Sequence, residues 1–379
     1  MAGGVSGLPK RSCSRGYGIV LVSSWISFCT LGHSADAGSF KSGAWRVSTP
    51  DISVCLVAYN RAHSIGRTIE SILAQDHGDF ELIISDDASP DETEAVCRKY
   101  ERLDPRVRYF RNPRNLNMPG NLNAAIARSR APLVANLHDG DVYRRDLLSQ
   151  WKRALDENPD AAFAFCALEV PADQVRFVKH KRSQLPRRLE IGDLVRYMVS
   201  DEHCYDSPVW GTVMGRRAAY ESMGGFDPRF AFMADVAMWL RLNLRYPVVY
   251  VDEPLIQLAP LEADRPHSYV NWGLERGLVS MYEEAIDGLY VGDPVRIARE
   301  RQRLRRLRDR KWFWQAGSCF RRGRLDLFEQ ALKVFRCEDS LSLRFVAAVG
   351  RPLLFLRRRV PGMQQVVDWT DRITRGQRE

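Results

Sequence analysis

The chain has 379 residues, of which 45% are hydrophobic and 27% are charged, and these values are typical of a soluble globular protein. A net charge of +9 indicates an anionic partner, which is a polyanion, an anionic membrane face or a phosphate-bearing substrate. The eight cysteines form no C-x-x-C pair, which argues against a zinc site and a disulfide framework and favours a reduced compartment.

Residues 1–50 have the composition of an extension rather than of a domain. Lys10, Arg11 and Arg15 precede a short apolar segment over 19–29, as in the basic and apolar regions of a signal peptide. The apolar segment is too short and too rich in serine to span a membrane. We expect a disordered extension or a start assigned too early, with a signal peptide as the alternative.

From residue 51 onward, short apolar strands alternate with helices. The pattern predicts strands over 52–57, 80–85, 107–111 and 133–137, and helices beginning near residues 65, 92 and 120. Further along, it predicts a helix near 147–155, strands over 162–168, 210–214 and 248–251, and a helix that begins at Asp235. This alternation predicts an α/β fold with a mostly parallel sheet and helices on both faces.

Polar residues follow each of the first four predicted strands. Asp86 and Asp87 follow the second strand, and Asp139 and Asp141 follow the fourth. Ligands of parallel sheets bind beyond the carboxyl ends of the strands. These acids are therefore expected together at that edge of the sheet, which we call the rim. Two acids at D-x-D spacing suit Mg²⁺ or Mn²⁺, which prefer oxygen ligands. The alternative for the second pair is a simple Asp-Gly turn at Gly140.

Four segments in this order resemble family-2 glycosyltransferases over about residues 51–260. They read "ISVCLVAYNRAHSIGRTIESILAQ", "FELIISDDASPDET", "LHDGD" and "GGFDPRF" followed by "ADVAMWLRL". The resemblance implies a GT-A fold, which is a Rossmann-like α/β domain that binds a nucleotide sugar through a D-x-D metal motif. We place this domain at residues 51–265.

The resemblance also implies roles for individual residues of the nucleotide site. Tyr59, Asp86 and Asp87 would line the nucleoside pocket, and Asn115 and Asn123 match polar positions that precede the metal-binding strand.

For the reaction itself, the resemblance implies that Asp139 and Asp141 hold Mn²⁺ or Mg²⁺ on the donor diphosphate. Asp235 would be the general base in a direct displacement, which inverts the anomeric carbon. This sequence departs from the family pattern at His138, which stands where an acid is usual, and around Asp235, which lacks carboxylate neighbours. The basicity of Asp235 would therefore depend on burial.

The implied function is an inverting, metal-dependent transfer of a sugar from a nucleoside-diphosphate sugar to a hydroxyl of a glycan, lipid-linked or protein acceptor. Such an enzyme would act in the synthesis of surface polysaccharide, glycolipid or glycoconjugate. One alternative is a non-catalytic homologue that binds nucleotide sugars. A nucleotidyltransferase is disfavoured, because no glycine-rich phosphate loop follows the first strand.

Residues 266–379 are predicted to form a basic helical region. Twelve Lys and Arg residues lie within 296–324, and the segment 341–360 combines apolar residues with a run of arginines over 357–359. The first interpretation is a helical subdomain with a solvated basic face. The second is peripheral binding to an anionic membrane from the cytoplasm. No motif of a nucleic-acid-binding module occurs, so a nucleic acid is not an expected partner.

Overall fold

The computed structural model of the chain describes residues 49–169, 185–200, 207–209, 211–259, 272–336 and 340–359. The predictions for the N-terminal extension lie outside these residues, except at 49 and 50, and so does the predicted domain boundary at 265.

The described strands are β1 Ile52–Ala58, β2 Phe80–Asp86, β3 Val107–Arg111, β4 Leu133–His138, β5 Val142–Tyr143, β6 Phe163–Glu169, β7 Arg188–Leu189, β8 Val213–Arg216 and β9 Val248–Gln257. They form one nine-stranded sheet with the path β3-β2-β1-β4-β8-β6-β9-β5, and β7 pairs with β9. The pairs β1–β2, β1–β4, β2–β3 and β6–β9 are parallel, whereas β8 runs antiparallel to both β4 and β6, and β5 and β7 run antiparallel to β9. The predicted α/β class is confirmed, and the sheet is mixed, with its parallel pairs among β1 to β4 and between β6 and β9.

Helices cover both faces of the sheet and extend beyond it at the C-terminal side. None of the described helices has the length and apolar character that crossing a bilayer requires. A short 3-10 helix occupies Pro228–Met233. The α-helices are α1 Ile65–Leu73, α2 Thr93–Leu103, α3 Asn117–Ala127, α4 Leu147–Asp156, α5 Asp193–Met198, α6 Arg217–Ser222, α7 Ala234–Asn243, α8 Trp272–Leu289, α9 Pro294–Arg321, α10 Leu325–Arg336 and α11 Leu341–Arg359.

Three hydrophobic cores hold these elements together. One core lies on the face of the sheet that α1 and α4 cover, and it includes Trp151. A second lies on the opposite face and draws in α7 and α8, with Trp239 at its centre. A third core joins α9, α10 and α11, and it includes Trp312, which stacks on Phe335 with ring centroids 5.9 Å apart. The C-terminal helices therefore have a core of their own.

A buried carboxylate ties together the amino ends of the parallel strands. Glu81 near the start of β2 accepts hydrogen bonds from Ser53 on β1 (2.7 Å), Arg108 on β3 (2.6 Å) and the Arg130 side chain just before β4 (2.9 Å). Burial alone would raise the pKa of Glu81, but these hydrogen bonds outweigh burial, and its pKa lies below the usual value. The ionised form of Glu81 therefore stabilises this end of the sheet.

Glu81→Gln is expected to lower the free energy of unfolding at pH 7 by about 2 kcal/mol, since it removes a buried charge from two arginines that remain. Because the folded pKa of Glu81 is lowered, its contribution is present above the ordinary Glu pKa of about 4.3 and is lost as the pH falls further. Urea unfolding at pH 7 and pH 3.5 should show a difference in stability between variant and wild type that is smaller at the lower pH. The exposed Glu157→Gln variant is the control, and an equal effect of the two substitutions would contradict the assignment.

Candidate functional site

The carboxyl end of β4 meets the start of β8, and this junction is the centre of the candidate site. The antiparallel register pairs Asn136 with Val213, and continuing it by two residues brings Gly211 alongside His138. A Cβ atom at position 211 would clash with the His138 imidazole and would lie 2.8 Å from Oδ2 of Asp235. His138 and Asp235 therefore face the same point, and only a glycine leaves room for both.

The turn after β4 places the two acids of the D-x-D motif. Gly140 has a φ of +93°, a conformation that glycine adopts easily. The hydroxyl of Thr68 on α1 accepts a hydrogen bond from the Gly140 N–H (3.0 Å) and donates one to the Asp141 carbonyl (2.9 Å). The Asp-Gly turn and the paired acids are thus parts of one structure, and α1 fixes it in place.

Each carboxylate of the motif also has a contact with the loops around it. Oδ2 of Asp139 lies 2.5 Å from Nε of Arg61, which follows β1, so a guanidinium compensates this charge. Oδ1 of the buried Asp141 accepts a hydrogen bond from the Ala259 N–H at 2.9 Å, just after β9. The two acids are held in place by the loop after β1, by α1 and by the segment after β9.

A divalent cation at these acids would have two carboxylate ligands from the described part of the chain. Within the described ranges, no group of three or more His, Cys, Asp and Glu side chains is placed to share an ion. Mg²⁺ is commonly held by one or two carboxylates, together with substrate phosphates and water. Asp139 and Asp141 fit an ion of this kind.

Asp235 enters the site from the first turn of α7. Burial raises the pKa of its carboxyl group from 3.8 to about 6, although the Val236 N–H donates a hydrogen bond to it at 2.7 Å. Behind Asp235, the buried Trp239 packs against Phe163, with ring centroids 5.0 Å apart. The rest of α7 therefore belongs to the core, and Asp235 is the group that α7 presents to the rim.

The backbone just before α7 is strained. Ala231 in the 3-10 helix has φ 46° and ψ −121°, which a residue with a Cβ rarely adopts. Conformations of this kind cost of order 1–3 kcal/mol and are found at functional sites. This strained residue lies four positions before Asp235 and shapes the entry of the chain into α7.

The residues predicted for the nucleoside pocket lie at two depths. Tyr59 follows β1 and is 47% exposed, so its ring is accessible at the rim. Asp86 is fully buried, and its carboxylate accepts hydrogen bonds from the Tyr109 hydroxyl (2.6 Å) and the Ser89 hydroxyl (2.5 Å). Asp87 is also buried, and its Oδ1 accepts a hydrogen bond from the Leu116 N–H at 2.8 Å. The two buried acids thus hold the loops of the rim through hydrogen bonds, while Tyr59 is accessible at its surface.

The two predicted asparagines differ in their surroundings. Asn115 is exposed, and its side chain accepts a hydrogen bond from the Asn117 N–H. Asn123 on α3 binds the backbone of Phe226 with both ends of its amide, donating to the carbonyl at 2.9 Å and accepting from the N–H at 2.8 Å. The contacts of Asn123 therefore pin the turn that follows Gly225 to α3.

Sequence reasoning gave no role to Arg61, Thr68 or Gly211. Arg61 lies in the first of the four family-like segments, and a basic residue shortly after the first strand could have indicated a contact at the site. Thr68 lies inside a helical pattern and gives no such signal. Gly211 is a glycine inside the strand predicted over 210–214, and a glycine in a strand can indicate a close approach of another group to the backbone.

Comparison with known proteins gives a consistent picture. A family model described as Glycosyl transferase family 2 matches residues 53–224. An uncharacterised Mycobacterium tuberculosis protein is 32% identical over 215 residues, which are 54% of this chain and 66% of that protein. The Campylobacter jejuni enzyme named GalNAc(5)-diNAcBac-PP-undecaprenol beta-1,3-glucosyltransferase is 32% identical over 121 residues, which are 32% of this chain and 39% of the enzyme. The chain thus spans less than two thirds of either relative's length.

A solved structure shares the fold. S. aureus TarS residues 1–349 in complex with UDP-GlcNAc superimposes with a TM-score of 0.57, covering 86% of this chain and 92% of that one at 15% identity.

Gly211→Ala is expected to lower the free energy of unfolding by about 2 kcal/mol, because the added Cβ overpacks the space between His138 and Asp235. Gly78→Ala is the matched control, since a Cβ there would meet nothing within 4 Å. Urea unfolding of both variants measures the difference. Equal stabilities would show that the backbone at 211 moves aside without cost, and the close packing described above would then be wrong.

Proposed function

Over residues 53–224 the chain belongs to glycosyl transferase family 2, and we propose that it is an inverting, metal-dependent glycosyltransferase. It would move a sugar from a nucleoside-diphosphate sugar to an acceptor hydroxyl. The observation that carries this proposal is the position of Asp235, a carboxylate with a raised pKa that faces the end of the strand leading into the D-x-D motif.

Asp235 has the properties of a general base. With a pKa of about 6, it is mostly ionised at pH 7 and is a stronger base than an ordinary aspartate. Its carboxylate would take the proton of the acceptor hydroxyl while the hydroxyl oxygen forms the new bond to the anomeric carbon. The bond from that carbon to the diphosphate oxygen would break at the same time. A single displacement of this kind inverts the configuration at the anomeric carbon.

Asp139 and Asp141 would hold Mn²⁺ or Mg²⁺ together with the two phosphates of the donor. When bound, such an ion neutralises charge that develops on the departing diphosphate. Arg61 compensates Asp139 through its 2.5 Å contact, so metal binding would have to displace a protein cation. Once released, the Arg61 guanidinium would be close enough to the motif to bind a phosphate oxygen.

The nucleoside would bind beside the ends of β1 and β2. Tyr59 offers an accessible ring for stacking on the base, and Asn115 is an exposed polar residue. Asp86 and Asp87 are buried, so they would support the pocket by holding its loops through their hydrogen bonds. We leave Asn123 out of this pocket, because its amide is already bonded to Phe226. The UDP-GlcNAc complex of TarS, which has the same fold, supports a nucleotide-sugar donor.

The acceptor is proposed to be a glycan, and the name of the Campylobacter relative favours a lipid-linked one. Polysaccharide or glycolipid synthesis in the cytoplasm fits this acceptor class. A cytoplasmic location is also consistent with the buried free thiols of Cys55, Cys97 and Cys319.

Asp235→Asn is expected to reduce sugar transfer about 10³-fold and to leave donor binding unchanged, because it removes the base and keeps the shape of the side chain. In the wild type, the transfer rate should rise with pH and level off above about pH 6, since Asp235 must lose its proton to act. Transfer is measured with a panel of UDP-, GDP- and dTDP-sugars in the presence of Mn²⁺.

The same substitution should stabilise the fold by about 2 kcal/mol at pH 7, because burial penalises the ionised carboxylate. This gain should disappear near pH 4, where the wild-type carboxyl is protonated in the folded protein. The exposed Asp156→Asn variant is the control for both measurements. Donor binding without transfer in wild type and variant alike would instead identify a non-catalytic nucleotide-sugar-binding protein.

Asp139→Asn and Asp141→Asn are each expected to weaken Mn²⁺-dependent nucleotide binding by about tenfold or more, since each removes a charged ligand. Arg61→Gln should act in the opposite direction for Mn²⁺ alone, by removing the cation that competes for Asp139. Isothermal titration with Mn²⁺, UDP and both together separates these effects. Nucleotide binding that is indifferent to Mn²⁺ and to both aspartate substitutions would refute the metal assignment.

A further inference from the structure

Helix α11 has two apolar faces, and the three-helix core accounts for only one of them. Leu343, Ala347 and Leu354 are buried in that core. Gly350 packs so closely on α10 that a Cβ there would lie 2.6 Å from Cδ2 of Leu332. This stripe fixes which side of α11 faces the protein.

The other side of α11 carries large apolar side chains at four-residue spacing. Leu341 is 80% exposed, Phe345 70%, Val349 44% and Leu353 46%. Residues at this spacing are neighbours along a helix, so they form one continuous strip. Single exposed apolar residues are ordinary, but a helix that is apolar on both sides is expected to be covered on both. We call these four residues the α11 strip.

The charge of α11 is of one sign. The segment 341–359 contains five arginines and no Asp or Glu. Two of them, Arg344 and Arg351, are exposed within the part of the helix that carries the strip. A surface that joins large apolar side chains to an unbroken positive charge matches the interfacial region of an anionic bilayer.

We propose that the α11 strip docks the protein on an anionic lipid surface. The apolar side chains would enter the boundary between headgroups and acyl chains, while Arg344 and Arg351 would remain among the phosphates. The helix would lie in the plane of the membrane, in agreement with the finding that no described helix can cross it. This inference goes beyond the proposed function and does not depend on it, because Asp235→Asn protein should dock equally well.

The test is co-sedimentation of the full chain with vesicles. Binding is expected to vesicles that contain phosphatidylglycerol and to be much weaker with phosphatidylcholine alone. Phe345→Ser combined with Leu353→Ser should weaken binding to the anionic vesicles at least about tenfold, since each removes a large apolar side chain. Arg344→Gln combined with Arg351→Gln should weaken binding and reduce its dependence on salt.

The matched control replaces two exposed apolar residues outside the α11 strip by serine. Leu103 and Val291 are 69% and 81% exposed, and they lie outside the three helices of the third core. Leu103→Ser combined with Val291→Ser should bind vesicles like the wild type. Thermal unfolding of each variant checks that the fold is intact. Hydrogen exchange with and without vesicles should show protection over 341–359.

Two outcomes would overturn the proposal. One is equal binding of the wild type and the Phe345/Leu353 variant to anionic vesicles. The other is a dimer in analytical ultracentrifugation that the Phe345/Leu353 variant dissociates, in the absence of vesicle binding. The second result would assign the α11 strip to a second copy of this chain.

Discussion

Strand β4 pairs with a parallel strand, β1, on one side and with an antiparallel strand, β8, on the other, and the site depends on this arrangement. Its parallel pairing with β1 aligns Val57 with His138, so the two strands end together and Arg61 comes within reach of Asp139. Its antiparallel pairing with β8 brings the start of a strand to the same place, and with it the backbone of Gly211. A slip of one residue in either register would turn the side chains of β4 to the opposite face. The geometry of the rim is thus fixed by ladder hydrogen bonds rather than by the loops themselves.

The two ends of the parallel strands treat a carboxylate in opposite ways. At the amino ends, Glu81 is surrounded by donors, and its pKa is lowered. At the carboxyl ends, desolvation of Asp235 outweighs its hydrogen bonds from the backbone, and its pKa is raised to about 6. The first arrangement favours the charged form and stabilises the fold at neutral pH, whereas the second disfavours it and lowers stability there. A raised pKa makes Asp235 a stronger base but lowers the free energy of unfolding at neutral pH. Glu81 lies at the opposite end of the strands, where no chemistry is proposed.

The sequence allowed a good prediction of the strands and a weaker one of the contacts at the rim. The first four strands were predicted to within one residue, because each is a short segment rich in apolar residues that polar residues follow. The strand predicted over 210–214 is observed at Val213–Arg216, and the one predicted over 248–251 continues to Gln257, past the acidic residues Asp252 and Glu253 that interrupt the apolar pattern. The contacts of Arg61 and Gly211 join residues that are 78 and 73 positions from their partners Asp139 and His138, so no local pattern encodes them. Burial of Asp235, on which its basicity was expected to depend, likewise became visible only in the folded chain.

The loops of the rim are built for position more than for stability. Asn60, Ala88, Asn117 and Ala231 are the non-glycine residues with positive φ in the described ranges, and all four lie in loops or at helix starts around the site. Asn60 directly follows Tyr59, and Ala88 directly follows Asp87. Glycine at such positions would relieve strain but would enlarge the conformational freedom of the unfolded and folded loops. Retaining side chains there keeps each turn in a single conformation, with the Asn60 N–H bound to the Ser89 hydroxyl at 2.9 Å. The strain at the rim therefore supports a site whose shape is set before the donor arrives.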